Sequence, residues 1–165
     1  MPDAPILPID DPLLRQPSQP VETFDPELAS LADTMFKVMD RERGAGLAAV
    51  QIGISKRLVV MDVPDACGKQ HRLALANPEI IAMSDEQTLE REGCLSMPGY
   101  DLPVERAARV RARYQDLDGR DREIEADGVL AICLQHEIDH VNGVLFTDRV
   151  SKLRRDRARS YFSKV

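Results

Sequence analysis

Helical periodicity in the hydrophobic pattern predicts two helices. One begins at Asp25, with Pro26 at its first position, and ends near Gly44. The second begins after Asp127, which can cap it, and ends at Asn142-Gly143. We expect both apolar stripes to face the core. They comprise Leu28, Leu31, Met35, Val38 and Met39 in the first helix, and Val129, Ile132, Cys133, His136 and His140 in the second.

Elsewhere the pattern favours β-strands. Apolar and polar residues alternate over 109–114, and Asp118-Gly119 is typical of a hairpin turn. Asn77-Pro78 should interrupt one of the strands. The predicted strand segments are 58–63, 72–76, 79–83, 109–114 and 123–125. Strands followed by a core helix predict an α+β fold, with mainly antiparallel sheets packed around the second helix and a further helix at the C-terminus.

The two ends of the chain differ from its middle. Residues 1–20 are rich in proline, which predicts an extended arm over the surface, anchored by Leu13 and Leu14. Residues 151–165 are strongly basic and predict the C-terminal helix. A chain of 165 residues is long enough for one domain with a sizeable core, so we expect a single domain over 1–165.

Composition narrows the possible functions. The 22 Lys and Arg against 28 Asp and Glu give a net charge of -6, which argues against a general nucleic-acid binder and against free DNA as a partner. No segment is apolar over the roughly 20 residues that a membrane span needs. The start has no basic and apolar leader, and the three cysteines have no framework spacing, so we expect a cytoplasmic protein.

The second helix carries the candidate chemistry. His136 and His140 are four residues apart, so both imidazoles can reach one metal ion from the same helix face. Glu137 lies between them and can act on a metal-bound water without being a ligand. This pattern predicts a central metal-binding helix. The alternative is a pair of core histidines with Glu137 as a solvated residue.

A catalytic metal usually has a third protein ligand. No Glu follows Glu137, and Phe146 stands where one class of zinc protease carries its third His, so this ligand should lie upstream. The candidates are His71 and Cys94. Cys94 is flanked by glycine and followed by Pro98-Gly99, which suits a rigidly held ligand.

Three segments together resemble the signature motifs of bacterial peptide deformylases. They are residues 44–51 (GAGLAAVQ), 92–96 (EGCLS) and 135–140 (QHEIDH), and their order and spacing also fit. The resemblance extends from about residue 8 to about residue 150. It implies a metal-dependent amide hydrolase that removes the N-formyl group from the initiator methionine of nascent polypeptides and releases formate.

The resemblance also assigns residues to roles. Cys94, His136 and His140 would be the metal ligands, and Glu137 would be the general acid and base. Gln51 and the backbone N–H of Leu95 would bind the developing oxyanion. The family favours Fe(II), while zinc or nickel can occupy the site. Such a metal lowers the pKa of its water towards ~7.

The remaining assignments concern substrate and partners. Glu92 and Arg106 match family positions and would form a supporting ion pair. Asp101 stands where many relatives carry Arg, so the binding of substrate beyond methionine is left open. The family's C-terminal helix can dock on the ribosome, and we expect truncation after Leu153 to weaken that contact and spare hydrolysis of small peptides. The methionine pocket would comprise Gly44, Ala45, Gly46, Leu95, Val129, Ile132, Cys133 and His136.

Two other functions fit part of the same pattern. A zinc endopeptidase with an unusual Cys/His/His ligand set would cleave internal peptide bonds. A non-enzymatic structural metal module would want a fourth protein ligand, and no further Cys or His stands in a motif.

Overall fold

The computed structural model describes residues 4–164, and within them the chain forms three α-helices and seven β-strands. The helices are α1 (Pro26–Arg41), α2 (Gly128–Val141) and α3 (Lys152–Phe162). The strands are β1 (Gly46–Ala48), β2 (Leu58–Pro64), β3 (Gln70–Met83), β4 (Gln87–Cys94), β5 (Met97–Ala107), β6 (Arg109–Gln115) and β7 (Asp121–Asp127). In the described range, no helix is both long and apolar enough to cross a membrane.

The strands form two antiparallel sheets around α2. One has five strands in the order β1-β2-β3-β6-β7, and the other is the β4-β5 hairpin. Helix α2 contacts β5 as well as strands of the larger sheet, so it lies between the two. The prediction of an α+β fold with antiparallel sheets around the second helix is therefore confirmed.

Helix α1 follows its predicted pattern closely. The carboxylate of Asp25 accepts a hydrogen bond from Leu28 N at 3.0 Å, as an N-cap does, and Pro26 is the first helical residue. The helix ends at Arg41, before the predicted end near Gly44, because Arg43 has a φ of 56° that helical geometry does not allow. Of the predicted stripe, Leu31 alone is partly exposed rather than buried.

The predicted break at Asn77-Pro78 is wrong. Strand β3 runs without interruption from Gln70 to Met83 and absorbs Pro78 as a bulge, with a register shift between Ala76 and Glu79. Asn77 adopts a φ of 49°, and its side chain donates to Val21 O and accepts from Val21 N. The bulge fits because proline has no N–H to offer the neighbouring strand.

The β4-β5 hairpin did not emerge from the hydrophobic pattern. Strand β4 is mostly exposed, with only Glu92 and Cys94 buried, so no apolar alternation marks it. Strand β5 returns along it from Met97, and the tight turn between them holds Leu95 and Ser96. This hairpin places Cys94 at the end of a strand that faces α2.

The proline-rich arm is held by backbone bonds to the segments that carry the site. Leu7 N donates to Gln51 O at 2.7 Å, and Ile9 N donates to Ser96 O at 2.8 Å. Leu14 is fully buried in a 3-10 turn over Pro12–Arg15, so this predicted anchor is part of the core. The part of the arm over residues 1–3 lies outside the described residues.

Candidate metal centre and substrate cleft

Helix α2 holds its two histidines inside the protein. His136 is 7% and His140 is 1% exposed, and their rings meet edge to face with centroids 5.0 Å apart. The helix ends at Val141, and the predicted end signal follows it as the C-cap Asn142 and Gly143, which has a φ of 76°. Asp127 is the N-cap residue, as predicted, but its carboxylate accepts a hydrogen bond from Ala66 N instead of from the helix.

Cys94 meets these histidines from the end of β4. Its Sγ lies 3.4 Å from His140 Nε2, and one ligand atom from each of Cys94, His136 and His140 lies within 4.8 Å of the others. Among the described residues this is the one group of three His, Cys, Asp or Glu so arranged. His71 lies elsewhere and pairs with Asp65 at 3.0 Å, so the structure selects Cys94 between the two candidates.

This set of donor atoms fits a divalent transition metal. A thiolate and two imidazoles suit iron, zinc or nickel, and three protein ligands leave a position for water or substrate. The Nδ1 of His136 lies 2.9 Å from Glu92 Oε1, which leaves Nε2 of that ring available to a metal. The site therefore has both the donors and the orienting contact that a catalytic metal needs.

Glu92 and Arg106 form the predicted pair, and it is buried. Arg106 donates from Nε and Nη2 to both oxygens of Glu92, at 2.8 and 2.9 Å. Its Nη1 donates to Asp139 at 2.7 Å, and Asp139 also accepts two hydrogen bonds from Arg149. The pair thus belongs to a network that joins β4, β5 and α2. Sequence reasoning missed Asp139 and Arg149. The available signal was an acidic residue, Asp139, within the helix predicted to bind the metal.

Burial and hydrogen bonding shift the ionisation of these groups. Burial alone would raise the pKa of Glu92, but hydrogen bonds from Arg106 and His136 lower it overall. Burial would also lower the pKa of His136, yet its contacts with Cys94 and Glu92 raise it well above the usual value. Burial, together with the neighbouring His136, keeps the pKa of His140 well below its usual value.

Glu137 is the exceptional carboxylate of the site. It is 4% exposed, and its Oε1 has no hydrogen-bond partner among the described residues. Burial raises its pKa to about 7. A carboxylate in this state can take up or release a proton near neutral pH, which suits a general acid and base.

Gln51 lies beside the cysteine, as a predicted oxyanion donor should. Its Nε2 donates to Ser96 Oγ at 3.0 Å and lies 3.6 Å from Cys94 Sγ, while its Oε1 accepts from Ala48 N. These contacts fix the amide orientation. Leu95 follows Cys94 directly, in the turn between β4 and β5, so its backbone is adjacent to the same sulfur.

A cleft of about 1050 Å³ opens above these groups. Val129 is 48% exposed and lies at the mouth, so its predicted inward position is wrong, whereas Ile132 is partly buried and Cys133 is buried. All eight residues predicted for the methionine pocket line the cleft: Gly44, Ala45, Gly46, Leu95, Val129, Ile132, Cys133 and His136. The cleft combines apolar walls with the polar groups below them, as small-molecule and peptide sites do.

Several lining residues were not predicted. Tyr100 and Phe162 line the cleft, the second of them from the end of α3. Asp101 also lines it and binds Arg91 at 2.6 Å, so the acidic residue in the place of the family's arginine has a basic partner across the hairpin. Phe162 could not be found from sequence, because its position depends on how α3 docks.

The fold and this site define a metal-dependent hydrolase. Comparison with known proteins then assigns the family: residues 3–156 match the family model described as polypeptide deformylase, and the chain belongs to this family. It is 48% identical to a peptide deformylase of Rhizobium meliloti, over 98% of this chain and 92% of the relative. With one from a Bradyrhizobium strain it shares 51% identity, over 97% and 94% of the two chains.

Solved structures agree with the family assignment. A peptide deformylase of Ehrlichia chaffeensis in complex with actinonin matches with a TM-score of 0.91 and 40% identity, over 97% of this chain and 95% of that chain. One from Legionella pneumophila matches with a TM-score of 0.87 and 46% identity, over 96% and 92% of the two chains. Membership of this family does not favour the endopeptidase or the structural metal module.

Proposed function

We propose that this enzyme hydrolyses the N-formyl group of the initiator methionine of nascent polypeptides and releases formate. The observation that carries the proposal is that one ligand atom from each of Cys94, His136 and His140 lies within 4.8 Å of the others, beside Glu137 and below an apolar cleft. Family membership supports the same reaction. The apolar lining suits the flexible, apolar side chain of methionine.

Cys94, His136 and His140 would hold the metal, and we propose Fe(II) as the native ion, with zinc or nickel able to replace it. When bound, the ion supplies a Lewis acid that makes water more acidic and polarises the formyl carbonyl. Iron, zinc and nickel all accept sulfur and imidazole ligands together, so the ligands do not decide between these three ions. Iron beside a thiolate predicts an enzyme that loses activity in air.

The residues of the chain move the proton and hold the charge. The Glu137 carboxylate takes a proton from the attacking water and passes it to the leaving amine, for which a pKa of about 7 is suitable. Gln51 Nε2 and the backbone N–H of Leu95 donate to the formyl oxygen as negative charge develops on it. Loss of one such donor typically costs ~10²–10³ in rate. Glu92 and Arg106 keep His136 oriented.

A single preparation tests activity and metal together. We expect protein purified without oxygen to contain iron and to hydrolyse formyl-Met peptides at least ~100-fold faster than acetyl-Met peptides, because an added methyl group displaces the reacting carbon. Glu137→Gln is the matched control, since it retains the shape of the side chain and cannot accept the proton. Equal rates on both peptides would contradict the deformylase proposal. Full activity with zinc alone after aerobic purification would contradict iron.

We also propose that the enzyme acts in the cytoplasm, where nascent chains emerge, and that α3 contacts the ribosome. The support is the basic character of α3, where Arg154, Arg157 and Arg159 are exposed. Such side chains can bind the phosphates of ribosomal RNA, and salt should weaken that contact steeply.

A further inference from the structure

The end of α3 reaches the mouth of the substrate cleft. Phe162 lines the cleft, and the neighbouring Tyr161 packs against Tyr100 of β5 with ring centroids 4.7 Å apart. Tyr161 Oη also lies 3.3 Å from the position that a Cβ on Gly99 would take. We call Tyr100, Tyr161 and Phe162 the aromatic rim.

The helix that carries two of these residues is fixed to the body of the protein. Ala158, one turn before Phe162, is 1% exposed and belongs to the main hydrophobic core, against which Phe162 also packs. Arg155 donates to Thr147 O and Val150 O at 3.3 and 3.5 Å. Tyr100 and Phe162 are therefore fixed parts of the cleft wall, and Tyr161 packs against Tyr100 beside them.

The difference in burial between the reacting groups and the aromatic rim indicates that the rim lies beyond the methionine. Cys94 and Glu137 are at most 8% exposed, so the formyl group must enter deeply, and the peptide must leave through the open side. Tyr100 and Phe162 line the same cleft but are partly exposed, so we place them towards its open side. The side chains that follow methionine therefore pass them. The nearby Arg91 and Asp101 pair with each other, and the aromatic rings provide an apolar recognition surface beside them.

We propose that the aromatic rim determines specificity for the peptide beyond methionine, and that it favours apolar over polar side chains at the third position. The proposal rests on the deformylase function proposed above. Contact with an aromatic ring at a partly exposed site gives a modest preference, about three- to tenfold. The preference should arise in KM, since the aromatic rim holds the peptide in the ground state and the transition state alike.

Formyl-Met-Ala-Leu and formyl-Met-Ala-Ser peptides provide the test, with kcat and KM measured separately for each. We expect the wild-type protein to favour the Leu peptide about three- to tenfold in kcat/KM. Phe162→Ala should bring this ratio close to one, and Phe162→Leu, which retains an apolar side chain, should give an intermediate ratio. Leu153→Ala is the matched control on the same helix. Leu153 is 61% exposed and does not line the cleft, so this variant should show the wild-type ratio of kcat/KM for the two peptides.

The outcomes separate the two proposals. A wild-type ratio near one, or an unchanged ratio in folded Phe162→Ala and Phe162→Leu, would overturn the aromatic rim as a specificity determinant. A peptide with Asp at the third position provides a further check, because Arg43 also lines the cleft; preference for Asp over Leu would likewise overturn it. If the wild-type protein hydrolysed no formyl peptide at all, the deformylase function itself would be wrong.

Discussion

At the scale of single residues, Gly46 shows how closely the backbone approaches the reacting groups. A Cβ at this position would lie 2.8 Å from Glu137 Oε2 and 2.9 Å from Cys133 Sγ. Both distances are shorter than ordinary contacts, and both neighbours are buried. Glycine is therefore required by close approach and not by a turn, since its φ is not in the left-handed region.

Gly46→Ala should consequently lower kcat/KM for a formyl-Met peptide by about 100-fold, because the new methyl group displaces the Glu137 carboxylate by a fraction of an ångström or more. Steady-state kinetics on folded protein would measure this. Gly93→Ala is the matched control, since its Cβ would meet only Tyr100 O at an ordinary 3.6 Å. Similar losses in both variants would contradict the argument from close approach.

Sequence reasoning reached the residues of this site through their spacing, but it did not reach their contacts. The two histidines on one helix face follow from a separation of four residues, while the choice of Cys94 over His71 rested on the resemblance to peptide deformylases. Asp139 stands between the histidines, yet its link to Arg149 and Arg106 depends on how the 3-10 turn over Phe146–Arg149 and strand β5 pack against α2, not on local sequence.

At the scale of elements, α2 combines a core helix with a polar network. Its buried Gln135 bonds to both the N–H and the carbonyl of Ala107 in β5, at 3.1 and 2.9 Å. Asp139, one turn further along the helix, accepts from Arg106 of the same strand. Such contacts satisfy the buried polar groups, and they fix the distance between the helix and the hairpin that carries Cys94.

Arg106→Leu should break this network. It leaves Glu92 and Asp139 as carboxylates that have lost a buried cation, so we expect the free energy of unfolding to fall by about 3–5 kcal/mol. Zinc affinity should fall about 10- to 100-fold because Glu92 no longer holds His136 in place. Urea unfolding and zinc titration measure the two effects.

Arg109→Leu is the control for a surface pair. Arg109 binds Glu86 at 2.8 Å, but both side chains are 60% exposed, so its removal should cost at most about 1 kcal/mol. Equal destabilisation by the two substitutions would contradict a special contribution of the buried network to stability. Unchanged zinc affinity in Arg106→Leu would show that the network does not support the metal site.

At the scale of the whole molecule, the class of fold followed from the order of strands and helices, and the β4-β5 hairpin did not. Its strand β4 exposes residues such as Leu89 and buries Glu92, which reverses the usual pattern. The burial of Glu92 depends on Arg106, and that pairing appears only when both strands are in place. A local pattern cannot report a strand whose inward residues are charged.

The C-terminal helix has two faces with different tasks. Ala158 and Phe162 face the core and the cleft, whereas Arg154 and Arg157 are exposed. The expectation that truncation after Leu153 spares hydrolysis did not anticipate Phe162 in the cleft wall. Substitution of the exposed arginines is therefore the sharper test of ribosome contact.

Arg154→Glu combined with Arg157→Glu should weaken co-sedimentation with ribosomes at low salt. Each lost phosphate contact should also reduce the slope of log affinity against log salt by about one unit. Hydrolysis of small formyl-Met peptides should be retained, because neither arginine lines the cleft. Lys37→Glu combined with Arg120→Glu makes the same change in net charge at exposed positions away from α3. If both double variants weakened binding equally, net charge and not α3 would govern the association; if neither did, the basic face of α3 would serve only as a solvated surface.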